Sequence, residues 1–600
     1  MALMMGRWGV GMLTTMRPGN EGAGGSFQRM APEAHLGVRP SRPSRAPGAR
    51  RATTTSACGI RARAGGSRVS ADCGAAASVA HAASTSRRGR VVRGFVALVF
   101  GQGIRTIGHI LIVPLYLRYW SVSAYGEWLA LSSLAQYLLN CDFGVRTAGV
   151  NRLTQEYARG HLDAYTRYQA SAMAFYTAVA GGGSLALAVA VWTLPMAGWL
   201  GLRAIPPDQA AWVAWLLGVE ILMALPVGFL LGIYRATGNV AWDAWLSNIK
   251  ALVGFALLAV VLYLGGEMPA VAAWRTIPLV MLAGFVFWHG SRRWPALMPR
   301  LTAARFSALR ELIAPSFLYA LMTLATAFTL QGGVLLVMTQ LGGAAVAVFV
   351  TSRTLTSLIR QVVFTINNAL WPHLTAMEAT GDYVKLRRIH RLIVLGSNVL
   401  SIAAAAALWQ VGPQVIALWT GGKLAADVGL LHVLLVQVVL QAPWMASSIL
   451  PVACNRPRTV AVASAVSSLV GLGVAALLIR EYGVAAVPLG LIVGEALACY
   501  VFVPRESCRL IGEDYRRFTL HQVVGLGVGA LLAFAAGWAV ARIAVGPLVV
   551  QWLEVGAATL AASLLAAWAV GLESDERWLL LGKGRASLVR LGLLPAAQDA

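Results

Sequence analysis

Six charged side chains stand out inside long apolar stretches of this sequence: Arg105, Glu220, Lys250, Arg353, Arg360 and Glu495. A charge inside a membrane span is costly, so such side chains usually face a polar interior or a transport pathway. Lys250 lies near the end of its stretch, from which its ammonium can reach the membrane surface, so it counts for little. The other five are candidates for a transport function.

The arginines predict a site for an anion. Arg353 and Arg360 are seven residues apart, which places them on one helix face together with Ser357. Arg105, with His109 one turn further on, adds a cation at a similar depth. A guanidinium stays charged and binds phosphate oxygens through two parallel hydrogen bonds. Three arginines around one cavity would therefore suit an anionic cargo.

A second interpretation stays open, in which each arginine pairs privately with a carboxylate or with backbone carbonyls. Glu220 and Glu495 are carboxylates deep in apolar stretches, and either could take up H⁺ or bind Na⁺ in an ion-coupled transporter. Either could equally be the structural partner of an arginine. Asp142 and Arg146 come where an apolar stretch ends, and we expect a local helix cap and ion pair there, at an inner gate.

Motifs for enzyme chemistry are missing from the sequence. No GxxxxGK[ST] occurs, the nine histidines have no metal-ligand spacing, and the six cysteines include no CxxC pair. We expect neither catalysis nor a bound cofactor or metal.

The composition requires a membrane protein. Hydrophobic residues make up 58% of the chain and charged residues 12%, and the mean hydropathy is +0.66. The net charge of +24 does not indicate nucleic acid, because half of it lies in residues 1–93 and most of the rest in short loops. Apolar runs of about twenty residues are long enough to span hydrocarbon. The sequence predicts an all-α polytopic protein with fourteen spans: 94–117, 125–141, 169–195, 210–233, 245–265, 271–290, 312–339, 344–372, 389–410, 427–450, 459–479, 484–504, 521–541 and 547–571.

The loops between these spans predict the orientation. With a cytoplasmic N-terminus, the inward loops and C-terminal tail hold twenty-four lysines and arginines and the outward loops only six, among which we count Arg275. That bias predicts that both termini are cytoplasmic.

An internal repeat predicts the architecture. Gly160 in YARGHLDAYTR aligns with Gly381 in EATGDYVKLRR, and Pro226 aligns with Pro443 on the fourth span of each half. The same alignment places Gln136 opposite Ser357, so both halves present a polar stripe. We expect two pseudo-symmetric six-helix bundles, residues 94–300 and 301–510, followed by two extra spans in 511–571.

The two ends of the chain are basic. Residues 1–93 are rich in Arg, Ala, Gly and Ser and are expected to be a disordered tail. An upstream start codon, a functional basic tail and a transit peptide all stay open for this segment. Residues 572–600 combine apolar and basic residues at helical spacing and are expected to lie on the inner membrane surface.

One stretch resembles a known family. PLYLRYWSVSAYGEWLALSSLAQYLLNCDFGVRTAGVNRLTQEYARG is similar to the opening of the bacterial polysaccharide transporters, the O-antigen and exopolysaccharide flippases of the multidrug/oligosaccharidyl-lipid/polysaccharide exporter superfamily. The features that carry the resemblance are Pro114, YGEW at Tyr125–Trp128, DFGV at Asp142–Val145, Asn151 and ARG at Ala158–Gly160. The resemblance covers roughly residues 94–510.

The resemblance implies alternating access in a bacterial inner membrane, with an undecaprenyl-pyrophosphate-linked oligosaccharide as the cargo. It also implies that cationic cavity residues hold the pyrophosphate, and by position Arg105, Arg353 and Arg360 would do so here. His109, Gln136 and Ser357 would line the same substrate site. H⁺ or Na⁺ and glycan-assembly proteins are further expected partners. The alternatives are a multidrug/cation antiporter of the same superfamily, a membrane enzyme of glycan assembly, and a component of glycan assembly without transport of its own.

Overall fold

The computed structural model describes residues 100–313, 317–572 and 577. The predicted disordered tail at 1–93 lies outside the described residues, as does nearly all of the predicted interfacial tail at 572–600. Within the described ranges the chain forms helices and no strands. The prediction of an all-α protein is therefore confirmed.

Helices of the described chain occupy all fourteen predicted spans. They are α1, residues 100–119; α2, Val122–Gln136; α3, Leu162–Thr193; α4, Pro207–Leu230; α5, Val240–Tyr263; α6, Met268–Arg293; α7, which runs from Phe317–Ala327 through the π-helical turn Phe328–Gly332 to Gly333–Leu341; α8, Gly343–Thr380; α9, Tyr383–Trp419; α10, Val428–Ala453; α11, Arg458–Tyr482; α12, Ala486–Ile511; α13, Tyr515–Ile543; and α14, Leu548–Ala566.

Shorter helical segments lie between some of these. The 3₁₀ turn Tyr137–Asp142 continues α2, and the helix Val145–Ala158 follows it. The helix Phe306–Ile313 precedes α7 and contains residues 312 and 313, which the sequence assigned to the seventh span. Helix α9 begins at Tyr383 rather than 389 and includes Lys385. The first turns of α9 are too polar to be predicted as part of a span. Such turns are tolerated because water can solvate charged side chains where a helix projects from the hydrocarbon.

Ten helical segments of the described chain are long and apolar enough to cross a membrane, and one of them, Arg458–Ile511, contains both α11 and α12. The segments outside that group are α1, α2 and α8. Arg353 and Arg360 belong to α8, and such polar positions lower its apolar character. These findings indicate a multi-pass membrane protein, and fourteen as the number of crossings stays a prediction.

The internal repeat is visible in the packing. Helix α3 packs on α4 and α4 on α6, just as α9 packs on α10 and α10 on α12; α5 packs on α6 as α11 packs on α12. The aligned glycines Gly160 and Gly381 each end a helix with a positive φ, of 77° and 70°. The residue after each glycine donates its backbone N–H to a carbonyl five residues back. This helix ending needs a left-handed residue, which glycine adopts without strain.

The first six helices thus form an N-lobe and the next six form a C-lobe. Helices α13 and α14 pack against α9 of the C-lobe, where Asn398 donates a 2.9 Å side-chain hydrogen bond to Gln522 of α13. The boundaries at residues 300 and 510 stay predictions, since the packing fixes the helix groups and not the domain limits.

Candidate binding cavity

Arg353 is held by the protein backbone. Its Nη1 atom donates a 2.5 Å hydrogen bond to the carbonyl of Leu330, and its guanidinium lies 5.1 Å from the ring centroid of Phe349. Leu330 belongs to the π-helical turn of α7, a local distortion that often marks a functional region. For this arginine the structure favours the alternative of a private partner, a backbone carbonyl.

Arg360 lies two helical turns further along the same face of α8. Among the residues that the structure describes, no hydrogen bond or ion pair satisfies its guanidinium. The nearby carboxylate of Glu495 interacts with it electrostatically without forming an ion pair. Arg360 therefore retains its capacity to bind an anion.

The side chain of Arg360 borders a cavity of about 440 Å³ inside the C-lobe. Five helices, α7, α8, α10, α11 and α12, contribute to its wall. Hydroxyl groups form much of the polar lining, from Thr326, Thr329, Ser357, Ser464, Ser467 and Ser468. A smaller pocket of about 30 Å³ adjoins it, and Arg353 and Arg360 both line that pocket. The cavity is large enough for a phosphate group with part of an attached sugar.

Glu495 contributes the carboxylate of this cavity and is only 4% exposed. It accepts hydrogen bonds from the side chains of three α10 residues: Gln441 at 2.5 Å, Gln437 at 3.4 Å and Trp444 at 3.4 Å. These three partners are absent from the sequence-based site. Two glutamines four residues apart in an apolar span are the signal that could have identified them, because that spacing puts both on one helix face.

Arg105 and His109 are placed elsewhere. Both are exposed on α1 of the N-lobe, and neither lines the C-lobe cavity. Arg105 Nη2 donates to Gln102 Oε1 at 3.1 Å. Gln136 is half-buried on α2, also in the N-lobe. The structure thus brings Arg353, Ser357, Arg360 and Glu495 together and leaves the predicted N-lobe residues outside that group.

Glu220 has a private cationic partner. Its carboxylate forms a 3.0 Å ion pair with Nε of Arg275 within the N-lobe. The sequence placed Arg275 among the outward loop charges, but α6 begins at Met268, so Arg275 lies about two turns inside the helix. Glu220 is therefore the structural partner of an arginine in this conformation, and its role in ion coupling stays a prediction.

Asp142 caps the helix that follows the DFGV motif. Its Oδ1 atom accepts a 3.3 Å bond from the backbone N–H of Arg146 and a short hydrogen bond from the hydroxyl of Tyr176. Phe143 and Gly144 both have positive φ, 47° and 72°, and make the sharp turn between the two helices. The Arg146 guanidinium lies against Gly228 of α4. The predicted cap is present, but the predicted ion pair between Asp142 and Arg146 does not form in the described part of the chain. The gating role stays a prediction.

The two lobes meet at the end of α1, where α2 begins. Pro114 has no N–H, so the carbonyl of Ile110 lacks its usual partner within α1. Trp419 at the end of α9 supplies one, its indole N–H donating to Ile110 O at 2.6 Å. Lys423 Nζ donates to the carbonyl of Leu117 at 2.6 Å. We call these two bonds the α1 latch.

Close backbone packing accompanies the α1 latch. A Cβ on Gly126 of α2 would lie 1.7 Å from the carbonyl oxygen of Gly343, the first residue of α8. Glu127 is 1% exposed and accepts backbone hydrogen bonds of 2.8–2.9 Å from Arg203, Ala204 and Ile205. In the predicted topology this end of the lobes is the outer one. The lobes are thus in contact on the side opposite the basic loops.

No family model matches this sequence. No curated protein matches it either. Among solved structures, an inward-facing multidrug resistance MATE family transporter of the MOP superfamily is similar, with a TM-score of 0.58 and 16% sequence identity, over 68% of this chain and 96% of that one. An outward-facing structure of such a transporter matches with a TM-score of 0.51 and 16% identity, over 72% of this chain and 97% of that one.

A third similar structure is a MOP superfamily transporter from Pyrococcus furiosus, described by a reverse polarity of its binding pocket that suggests a different function. Its TM-score is 0.50 at 16% identity, over 71% of this chain and 97% of that one. At such low identity the likeness concerns the fold alone. The described chain has the fold of the MATE transporters of the MOP superfamily.

Proposed function

We propose that this protein is a flippase that moves a lipid-linked oligosaccharide pyrophosphate across the bacterial inner membrane by alternating access. The observation that carries the proposal is the Arg360 guanidinium at the C-lobe cavity, which has no hydrogen-bond or ion-pair partner among the described residues. Partly buried cations without a protein partner are costly, so a site that keeps one favours an anionic ligand. Pyrophosphate offers the oxygen pairs that a guanidinium binds best.

The lining of the cavity supports a glycan beside the pyrophosphate. The six hydroxyls and the amides of Gln361 and Gln441 can exchange hydrogen bonds with sugar hydroxyls. Trp444 contributes an apolar ring to the same wall. The pyrophosphate role that the sequence assigned to three arginines is now centred on Arg360. Arg353 supports it by fixing α8 against α7.

The test uses a host whose surface polysaccharide depends on this protein. A charged hydrogen bond contributes about 1.5–3 kcal/mol, so Arg360→Ala is expected to weaken cargo binding by about 10- to 150-fold and to reduce export. Arg360→Lys keeps the charge but loses the paired geometry and should rescue export only in part. Arg480→Ala, at an exposed position of α11, is the matched control.

Measurements of protein level and membrane insertion distinguish the roles of Arg353 and Arg360. Arg353→Ala breaks the bond to Leu330 and is expected to lower the amount of folded protein, whereas Arg360→Ala should leave that amount unchanged. Normal export by a fully inserted Arg360→Ala protein would overturn the proposal.

A multidrug/cation antiporter is the second candidate, and the observation that favours it is the Glu495 carboxylate in the same cavity. It predicts that cells gain resistance to cationic drugs and that Glu495→Gln removes that resistance. The flippase proposal predicts no such resistance. A component of glycan assembly without transport would leave purified protein in liposomes unable to move the lipid-linked cargo.

A further inference from the structure

A second cavity lies on the N-lobe, between α1 and α5. It has a volume of about 590 Å³, and Arg118 is the single charged residue among the described residues that line it. We call it the α1–α5 groove. Its wall is otherwise apolar, with Ile107, Leu111 and Leu252 strongly exposed at 58%, 62% and 49%. Such exposed apolar surface in a membrane protein faces hydrocarbon.

The two helices of the groove run parallel. A Cβ on Gly101 would lie 2.1 Å from the Asn248 side chain, and one on Gly108 would lie 1.9 Å from the Phe255 ring. From the first contact to the second, the residue number rises by seven on both helices, so the two helices run in the same direction. Only glycine permits this approach at residue 108, so the helices close on each other there.

The part of the groove between the close contact at Gly108 and Arg118 is about as long as one leaflet of a bilayer is thick. Arg118 lies ten residues beyond Gly108, a rise of about 15 Å along a helix. That distance is half of the hydrocarbon thickness of about 30 Å. Tyr119 and Tyr263, at the ends of α1 and α5, are both exposed, and tyrosines are enriched at membrane–water interfaces. Arg118 is therefore at the level of the lipid headgroups.

We propose that the α1–α5 groove binds an anionic glycerophospholipid, with one acyl chain against the exposed apolar wall and the phosphate on Arg118. Charge complementarity supports this occupant. Among the described residues Arg118 has no hydrogen-bond or ion-pair partner, and a guanidinium binds phosphate through paired hydrogen bonds. The site lies on the N-lobe, away from the C-lobe cavity, and does not depend on the proposed cargo.

Native mass spectrometry of the purified full-length protein tests the proposal. Phosphatidylglycerol and phosphatidylcholine are titrated separately, and the fraction of protein that carries one lipid is measured. The wild-type protein is expected to retain one phosphatidylglycerol more strongly than one phosphatidylcholine. Arg118→Gln should weaken phosphatidylglycerol retention by about fivefold, the effect of one cation near a membrane surface.

Two further variants separate the groove from general lipid attraction. Ala259→Phe fills the groove without removing a charge and is expected to lower retention of both lipids. Arg480→Gln and Leu477→Phe on α11, the repeat counterpart of α5, are the matched controls and should bind as the wild type does. Equal retention by Arg118→Gln, Ala259→Phe and the controls would overturn the proposal. So would displacement of phosphatidylglycerol by a polyprenyl phosphate at equimolar amounts, which would assign the groove to the cargo.

Discussion

Breaking the α1 latch should shift the protein away from the conformation described here. Trp419→Phe keeps an aromatic ring and removes the N–H that donates to Ile110 O. Lys423→Met keeps an unbranched side chain and removes the ammonium that donates to Leu117 O. Both bonds join the two lobes, so separation of this end of the lobes must break them. The variants therefore destabilise only the closed state, because the open state does not contain these bonds.

The size of the shift follows from the bond types. A neutral hydrogen bond contributes about 1 kcal/mol net, which corresponds to about a fivefold change in the equilibrium. The charged bond of Lys423 contributes about 1.5–3 kcal/mol, or about 10- to 150-fold. Pro114→Ala should act in the same direction, because the new N–H at residue 114 can bond to Ile110 O within the helix and compete with Trp419.

Electron spin resonance can measure the shift directly. Spin labels at residues 203 and 482, in a protein whose six native cysteines are replaced, report the distance between the lobes at this end. The longer-distance population is expected to grow in Trp419→Phe and to grow more in Lys423→Met. Distance distributions identical to that of the parent protein in both variants would refute the idea that these bonds hold the lobes together.

Three further predictions concern stability. Gly381→Ala forces a non-glycine residue to φ 70° and should lower the unfolding free energy by about 1–2 kcal/mol. The control Gly396→Ala lies inside α9 with open space at its Cβ and should not destabilise the protein. Equal thermal unfolding of the two variants would contradict the assigned helix ending. Arg275→Met leaves Glu220 without its partner and should destabilise the N-lobe more than the double variant Arg275→Met/Glu220→Gln does, in a double-mutant cycle. The hydrogen bond from His161 and, to a smaller extent, the charges of Arg152 and Arg159 lower the pKa of the Glu156 carboxyl. The ionised Glu156 carboxylate therefore stabilises the folded protein fully above its unfolded-state pKa, and this stabilisation is lost as the pH falls through the folded-state pKa. Thermal unfolding against pH should show that loss in the wild type and not in Glu156→Gln.

The helices were predictable from the sequence for a physical reason. A span must be about twenty apolar residues long, and polar loops must separate spans, so the pattern alone places each helix. The repeat was readable because Gly160 and Gly381 meet the same backbone requirement at the same point of each half. Helix ends were less predictable, since a helix such as α9 continues into water where apolarity no longer marks it.

The partners of the charged residues were not predictable in the same way. Spacing places Arg353 and Arg360 on one face, but the π-helical turn that offers Leu330 to Arg353 leaves no clear mark in the sequence. The depth of a residue along a helix does not show which way its side chain points, so Arg105 of the N-lobe was grouped with the arginines of α8 around one cavity. Residues 275 and 220 are in contact although 55 positions separate them, and only the packing of α4 on α6 shows it.

In the proposed function, Arg360 binds the pyrophosphate of the cargo. The most direct measurement is the affinity of the purified protein for undecaprenyl pyrophosphate, determined by calorimetric titration for the wild type, Arg360→Lys, Arg360→Ala and the Arg480→Ala control. A pyrophosphate site at Arg360 predicts tight binding by the wild type and the control, weaker binding by Arg360→Lys, and a loss of about 10- to 150-fold in Arg360→Ala. Equal affinity of the wild type and a correctly folded Arg360→Ala protein would contradict it.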